Sequence, residues 1–424
     1  MNNRKQNIRA WRRLDNTAKL FPVISSENLT NVFRISCTLD SKIEKERLQQ
    51  ALAEVLPWFE GINVRLRRGL FWYYFEAKKK VPEIVKEATY PCKYLNPHDP
   101  GHFLFRVSYY ENRINLEVFH AITDGMGAIN FLKELTYMYL RLKRGETNLI
   151  PSTDCILGVE DSYVKHYKKR KNRTYPTEKA FRIKGDSLYL DTISIIHGYL
   201  DMSALKAKCK EYQVSITKYM VALLLYCVYE EYMNRQGNKH PAVVNLPVNL
   251  RAFFDSTTTS NFFAITAVKF LFEKETHTFK EVLDFVNLQM NENITKEKME
   301  DIISYNVSNE KKWYLRMAPL PIKWLGLQFV FRRSSQFCTT TLSNLGPISV
   351  QKEFENEIKN FHFVIGVSKR QNMKCGICSY QDKMIVTFTS VLKDTYLQKA
   401  FFRFLVKEGI PVTIESNGVN YEKM

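Results

Sequence analysis

The chain is short of glycine and proline, with 16 and 14 among 424 residues. That excludes collagen-like and proline-rich low-complexity architectures. It also lacks long hydrophobic runs. A membrane-spanning helix needs about 18 or more consecutive apolar residues, and the longest uncharged apolar stretch, Tyr219 to Tyr229, has 11. That stretch reads as part of a buried helix. Residues 317–331 are apolar too, but Pro319, Pro321 and Lys323 interrupt them. The opening MNNRKQNIRAWRRLDN is basic, without the hydrophobic core or small-residue cleavage site of an export signal, so a cytoplasmic location is expected. The eight cysteines, at 37, 92, 155, 209, 227, 338, 375 and 378, show no framework spacing, and a cytosolic chain keeps its thiols reduced. Cys375 and Cys378 form the one CxxC. With no second pair nearby they read as structural thiols, and no metal set is expected. Acidic residues are the last shortage: 44 Asp plus Glu against 62 Lys plus Arg leave a net charge of +18. Such an excess suits nucleic acid, an anionic membrane surface or a polyanionic substrate, and does not choose among them.

Core material is ample. Hydrophobic residues make up 45% of the chain, with 28 Phe and 23 Tyr, so wholesale disorder is excluded. The length fits two or three domains or one large α/β unit. Strand-like and helix-like patterns alternate throughout. Residues 31–40, 103–110 and 114–120 read as strands, and Leu48, Ala51, Leu52, Val55 and Leu56 form a helical stripe. A helix from about 126 to 143 ends in Arg141, Lys143 and Arg144, with Gly145 as its exit. The run 166–184 carries eight Lys/Arg and one Glu and reads as an exposed linker. Beyond it, strands are expected near 190–200, 242–248, 264–272, 337–343, 361–367, 373–380 and 384–389. Helices are expected near 203–210, 217–233, 277–317 and 394–408. The division is therefore a first half at 1–165, a basic linker at 166–187 and a second half at 188–424, with part of the late strands near 370–392 able to cross to the first half. No zinc-finger, RNP or KH signature supports a nucleic-acid binder.

One histidine stands apart. In INLEVFH, residues Ile114, Leu116, Val118 and His120 share one strand parity, so His120 points with the apolar side chains into a covered layer, at a strand-to-helix junction. A base could sit there, and so could a satisfied core histidine. Asp124 can cap the next helix or pair with a buried arginine. Gly125 and Gly127 permit a tight turn or close approach to a ligand.

The run His120-Ala-Ile-Thr-Asp124-Gly125 resembles the HxxxDG motif of the coenzyme-A-dependent acyltransferase superfamily, whose members share the chloramphenicol acetyltransferase-like fold. NLR (249–251) with Ser260-Asn261-Phe262 downstream, TTTLSNLGP (339–347) and WRRLDNTAKLFP (11–22) resemble signatures of its alcohol O-acetyltransferase-like and polyketide-associated branch. Phe119 replaces the additional histidine that many members carry, and DFGWG has no counterpart. The resemblance implies an α/β fold of two sandwich halves with mixed sheets and an active-site channel between them. It implies acyl transfer, foremost O-acetyl transfer from acetyl-CoA or another acyl-CoA to a small-molecule hydroxyl or amine, with no tightly bound cofactor and no metal. His120 would be the general base, and Asp124 a structural residue paired with Arg251. Thr341, Ser343 and Asn344, or the backbone near Gly125, would donate to the oxyanion, and Asn249 and Asn261 would order the channel loop. An acidic acyl carrier protein as donor, in a condensation-like or polyketide-associated enzyme, is the alternative. A basic nucleic-acid-binding protein is the non-enzymatic rival, and a scaffold without turnover the third. The chain is expected to act as a monomer, and the acceptor and acyl length stay unread.

Overall fold

The computed structural model describes residues 11–99, 101–147, 149–170, 178–189, 192–233, 239–273, 276–368 and 371–419. Two mixed sheets organise them. The first runs, edge to edge, through Ile358–Ile365, Val32–Leu39, Arg113–Phe119, Phe105–Tyr110 and Val85–Lys86; only the last pairing is parallel. The second has seven strands, in the order Phe263–Phe270, Ala242–Asn249, Thr340–Pro347, Met373–Tyr380, Lys383–Ser390, Ser194–Asp201 and Val412–Ser416. Thr340–Pro347 is parallel to both of its neighbours and the other pairings are antiparallel. A small third sheet joins Trp11–Arg13, Tyr73–Ala77 and Val64–Arg68.

Each large sheet buries one apolar face under helices. Ile114, Leu116 and Val118 share a core with Leu48, Leu52 and Val55 of the helix Lys45–Val55 and with Phe131, Leu132 and Leu135 of the helix Gly125–Lys143. That second helix leaves through Gly145, whose φ of 77° suits the residue without a Cβ. In the second sheet Leu342, Cys375, Ile377, Val386 and Phe388 pack with Tyr219–Leu225 of the helix Ile216–Val228. Cys375 and Cys378 sit three apart on one strand and therefore face opposite ways, one into each core. Two thiols on opposite faces of a sheet cannot ligate one ion.

Two expectations are corrected. The strand that crosses to the first sheet is Ile358–Ile365, pairing with Val32–Leu39, whereas Met373–Tyr380 and Lys383–Ser390 stay in the second sheet. Alternation along the sequence marks a strand but does not reveal its pairing partner. The basic run is not a solvated linker throughout: Ala180 and Ile183 are buried, and Lys168 and Arg170 pair with Glu300 and Asp301. Residues 171–177 of that run lie outside the described residues. The interrupted apolar stretch, to which the sequence pattern assigns no element, holds the helix Leu320–Ser334. Pro319 is its N-cap and Pro321 lies in its first turn, where a missing N–H costs nothing.

Between the sheets the packing turns polar. His362 of the crossing strand lies 4.6 Å, ring to ring, from His197 of the second sheet. The Tyr199 hydroxyl is 2.7 Å from His362 Nε2, and His197 Nδ1 is 2.9 Å from the Thr387 hydroxyl. Burial, with nearby Arg113, pushes His197 down to about 3; burial, His197 and Arg113 push His362 well below the usual imidazole range. The unfolded chain therefore takes up these protons first. Stability from this pair is present above the ordinary value of 6.5 and lost as pH falls toward the folded value. Thermal melts should show the melting temperature dropping through that window. A His197→Gln/His362→Gln variant should show a flatter dependence; an unchanged slope would place the acid sensitivity elsewhere.

Candidate active site

The strand Arg113–Phe119 and the helix Gly125–Lys143 leave only His120–Asp124 to connect them, so the imidazole and the carboxylate have little positional freedom. The His120 backbone N–H donates to Asn31 O at 2.9 Å. Its ring stacks on Phe21 at 4.7 Å and meets Phe33 and Phe263 at 5.0 and 5.4 Å. These walls of low polarity, with Lys374 as a nearby positive charge, disfavour the imidazolium. Asn261 and Asp124 work the other way, and the net effect is a pKa below the ordinary imidazole value.

The tautomer follows from the neighbours. Asn261 Nδ2 faces two acceptors, Asp15 Oδ2 at 3.2 Å and Ala121 O at 3.3 Å. Its amide oxygen must then face His120 Nδ1, at 3.1 Å. A neutral imidazole donating from Nδ1 keeps its lone pair on Nε2. Asp15 in turn accepts from Ala18 N at 2.7 Å and Asn261 N at 3.3 Å. Its burial raises its pKa to about 7, despite these hydrogen bonds and Arg12. Asp15, Asn261 and His120 thus form a chain from the N-terminal segment through the second half to the first sheet.

Asp124 is buried and held within the fold. It caps its helix by accepting from Gly127 N at 3.1 Å, and it accepts from Arg251 Nη1 at 2.8 Å and Phe262 N at 2.9 Å. The Arg251 guanidinium also donates to Thr258 O at 3.0 Å and Ser260 O at 2.7 Å. Asn249 starts the turn that aims it, accepting from Arg251 N at 3.1 Å. The close approach at Gly127 is to protein, not to a ligand as the sequence suggested. A Cβ there would lie 2.1 Å from Thr123 Oγ1 and 2.3 Å from Thr259 O, because the 258–262 segment lies against the start of the helix. At Gly125 a Cβ would meet Leu345 Cδ2 at 2.4 Å.

Strand parity sorts the remaining candidates. Leu342 lies in the second core, and Asn344, of the same parity, donates to Thr217 Oγ1 at 3.0 Å and accepts from Gly346 N at 2.8 Å. Asn344 therefore makes the turn and braces the helix Ile216–Val228. Thr341 and Ser343 take the opposite face, paired with Lys374 and Gly376, and that face turns toward the crossing strand: a Cβ at Gly376 would lie 2.7 Å from Phe363 O. Lys374 Nζ donates to Gly366 O at 2.8 Å, and burial lowers its pKa to about 8. Asp15, Phe21 and Lys374 were not singled out in the sequence. For Asp15 a signal existed: a carboxylate between Leu14 and Ala18, inside the segment 11–22 that carries the resemblance.

No protein-family model and no curated protein matches the sequence. Solved structures share the fold. Polyketide synthase associated protein 5 from Mycobacterium tuberculosis aligns at a TM-score of 0.62 with 13% identity, over 93% of this chain and 97% of its own. The first condensation domain of the calcium-dependent antibiotic synthetase, in complex with a substrate analogue, aligns at 0.62 with 12% identity, over 96% and 100%. F. sporotrichioides TRI101, complexed with Coenzyme A and T-2, aligns at 0.63 with 10% identity, over 95% and 99%. The α/β architecture of mixed sheets is thus shared with these three proteins.

Proposed function

We propose that the chain is an acyltransferase that moves an acyl group from a phosphopantetheine thioester to a hydroxyl or amine. The observation that carries this reading is the oriented, neutral His120: Asn261 holds Nδ1–H, and the free lone pair on Nε2 is what a general base needs. In the proposed step Nε2 takes the proton of the acceptor O–H or N–H as the heteroatom attacks the thioester carbonyl. The tetrahedral oxyanion collapses, the C–S bond breaks, and the thiolate leaves with the proton returned from the imidazolium. No acyl-enzyme and no metal enters this scheme. Hydroxyls of Thr341 and Ser343, on the face shared with Lys374, are the assigned oxyanion donors, and Asp124 with Arg251 serves to hold the loop.

Acyl-CoA and an acyl carrier protein present the same thioester, and the +18 charge would suit the phosphates of one or the acidic surface of the other. Likeness to a polyketide synthase associated protein and a condensation domain favours the carrier-linked reading over alcohol O-acetyl transfer. The fold shared with a protein solved with Coenzyme A keeps the free donor in play. The test is release of free thiol from acyl-CoA and from acylated carrier protein, each with a panel of alcohols, amines and aminoglycosides. Acceptor-dependent release is expected, faster with the carrier-bound donor. No release from either donor with any acceptor would overturn the reading.

A further inference from the structure

Residues 313–334 present apolar side chains to water as well as to the core, on which Leu320, Leu327 and Phe331 pack. In Leu320–Ser334 the polar Lys323 and Gln328 turn inward, Lys323 donating to Phe71 O at 2.9 Å and Arg316 O at 3.0 Å, and Gln328 to Val23 O at 2.7 Å. Ile322, Leu325, Phe329 and Val330 recur at helical spacing on the outside. They are joined by Trp313 and Met317 of the preceding turn of helix, and exposure in this set runs from 61% at Val330 to 76% at Trp313. The hairpin tip extends the same surface: Leu320 N donates to Leu70 O at 3.0 Å, and Leu70 is 72% exposed. Burying an amine while presenting large apolar side chains to water makes sense only if something other than water covers them.

Charge identifies the cover. Exposed Lys311, Lys312 and Arg316 stand at one end of the apolar stripe, Arg332 and Arg333 at the other, and no acidic residue occurs between Lys311 and Lys352. We infer that this helical surface docks on an anionic lipid bilayer, its apolar side chains entering the acyl boundary and its cations meeting the headgroups. A second copy of the chain would bring a segment with no acid against itself, cation facing cation. Among the described residues no helix is long and apolar enough to cross a membrane, so this one lies on the surface. The stripe is one short helix away from His120, since Gln328 holds the Phe21–Ile24 helix whose Phe21 stacks on the imidazole. The inference does not depend on the acyl-transfer reading.

The test is cosedimentation of the full chain with vesicles of phosphatidylglycerol and phosphatidylcholine, against phosphatidylcholine alone. Binding to the anionic vesicles should be about tenfold stronger or more, and should weaken as salt rises. Leu325→Glu/Phe329→Glu should reduce it to the level of the neutral vesicles, and Arg332→Glu/Arg333→Glu should weaken both the binding and its salt dependence. Both pairs point outward, and thermal melts of the variants verify that they fold. Absence of vesicle binding, or binding unaffected by the first pair, would overturn the inference. So would a dimer in light scattering that Leu325→Glu/Phe329→Glu dissociates, in a protein that ignores vesicles.

Discussion

His120→Ala should lower the rate of acceptor-dependent thiol release by about 10²–10⁴, the usual worth of a positioned general base, with little change in donor affinity. The size of the effect rests on orientation as much as on the imidazole. Asn261 has its amide nitrogen committed to Asp15 and Ala121, so only its oxygen is left for Nδ1. The imidazole therefore meets an acceptor with Nε2 already deprotonated. Walls formed by Phe21, Phe33 and Phe263 keep it so at neutral pH by lowering its pKa. The acid limb of kcat/KM should accordingly fall below the ordinary imidazole pKa of 6.5. Asn261→Leu removes an interaction that favours the protonated ring, so that limb should move to still lower pH while kcat drops through loss of orientation. His120→Gln, closer in size, checks that lost packing is not the cause. Turnover at the parent rate in His120→Ala would take the imidazole out of the mechanism.

Asp124→Ala should be the most destabilising of the site substitutions, at about 3–5 kcal/mol, because it strands a buried cation. Arg251 keeps its hydrogen bonds to Thr258 O and Ser260 O but loses the carboxylate at 2.8 Å, and the helix Gly125–Lys143 loses its cap. Phe262 N loses its acceptor at the same time. Asp124→Asn should cost less, since it can still accept from Gly127 N while leaving Arg251 without a counter-charge. Denaturant midpoints of Asp124→Ala, Arg251→Ala and the double variant would read the coupling. The double variant should lose less than the sum of the singles, because it leaves no orphan charge. Strict additivity would mean that the two side chains do not support one another.

The elements themselves were readable from local pattern. The buried helix around Tyr219–Tyr229, the strand ending at His120, the helix capped by Asp124 and the exit at Gly145 each depend on residues within a few positions of one another. The helix Leu320–Ser334 was not readable in this way. Its inner face packs Leu320, Leu327 and Phe331 beside Lys323 and Gln328 and its outer face is apolar too, so a search for one apolar and one polar side finds no surface helix there. Parity predicted the direction of His120, and its contacts with Phe21 and Phe33 lie on that side of the sheet. Parity alone could not say that Thr341 and Ser343 face the crossing strand while Asn344 braces a helix, because it leaves open which face of a strand is which.

By itself the sequence determined the chemistry available: a histidine and a carboxylate four apart at the end of a strand, an Asn-Leu-Arg run far downstream, and a large positive charge. Those are properties of residue identity and short spacing, and folding does not alter them. Only the tertiary structure decided which groups meet. Asp15 reaches His120 through Asn261, a residue 246 positions away in the chain, and Arg251 reaches Asp124 across 127. Contacts at such separations depend on which strands pair and how two sheets stack, and local patterning carries no record of either. The same holds for the cationic, apolar surface at 313–334. Its residues were plain in the sequence as an interrupted hydrophobic stretch, and only packing showed which of them the protein leaves uncovered.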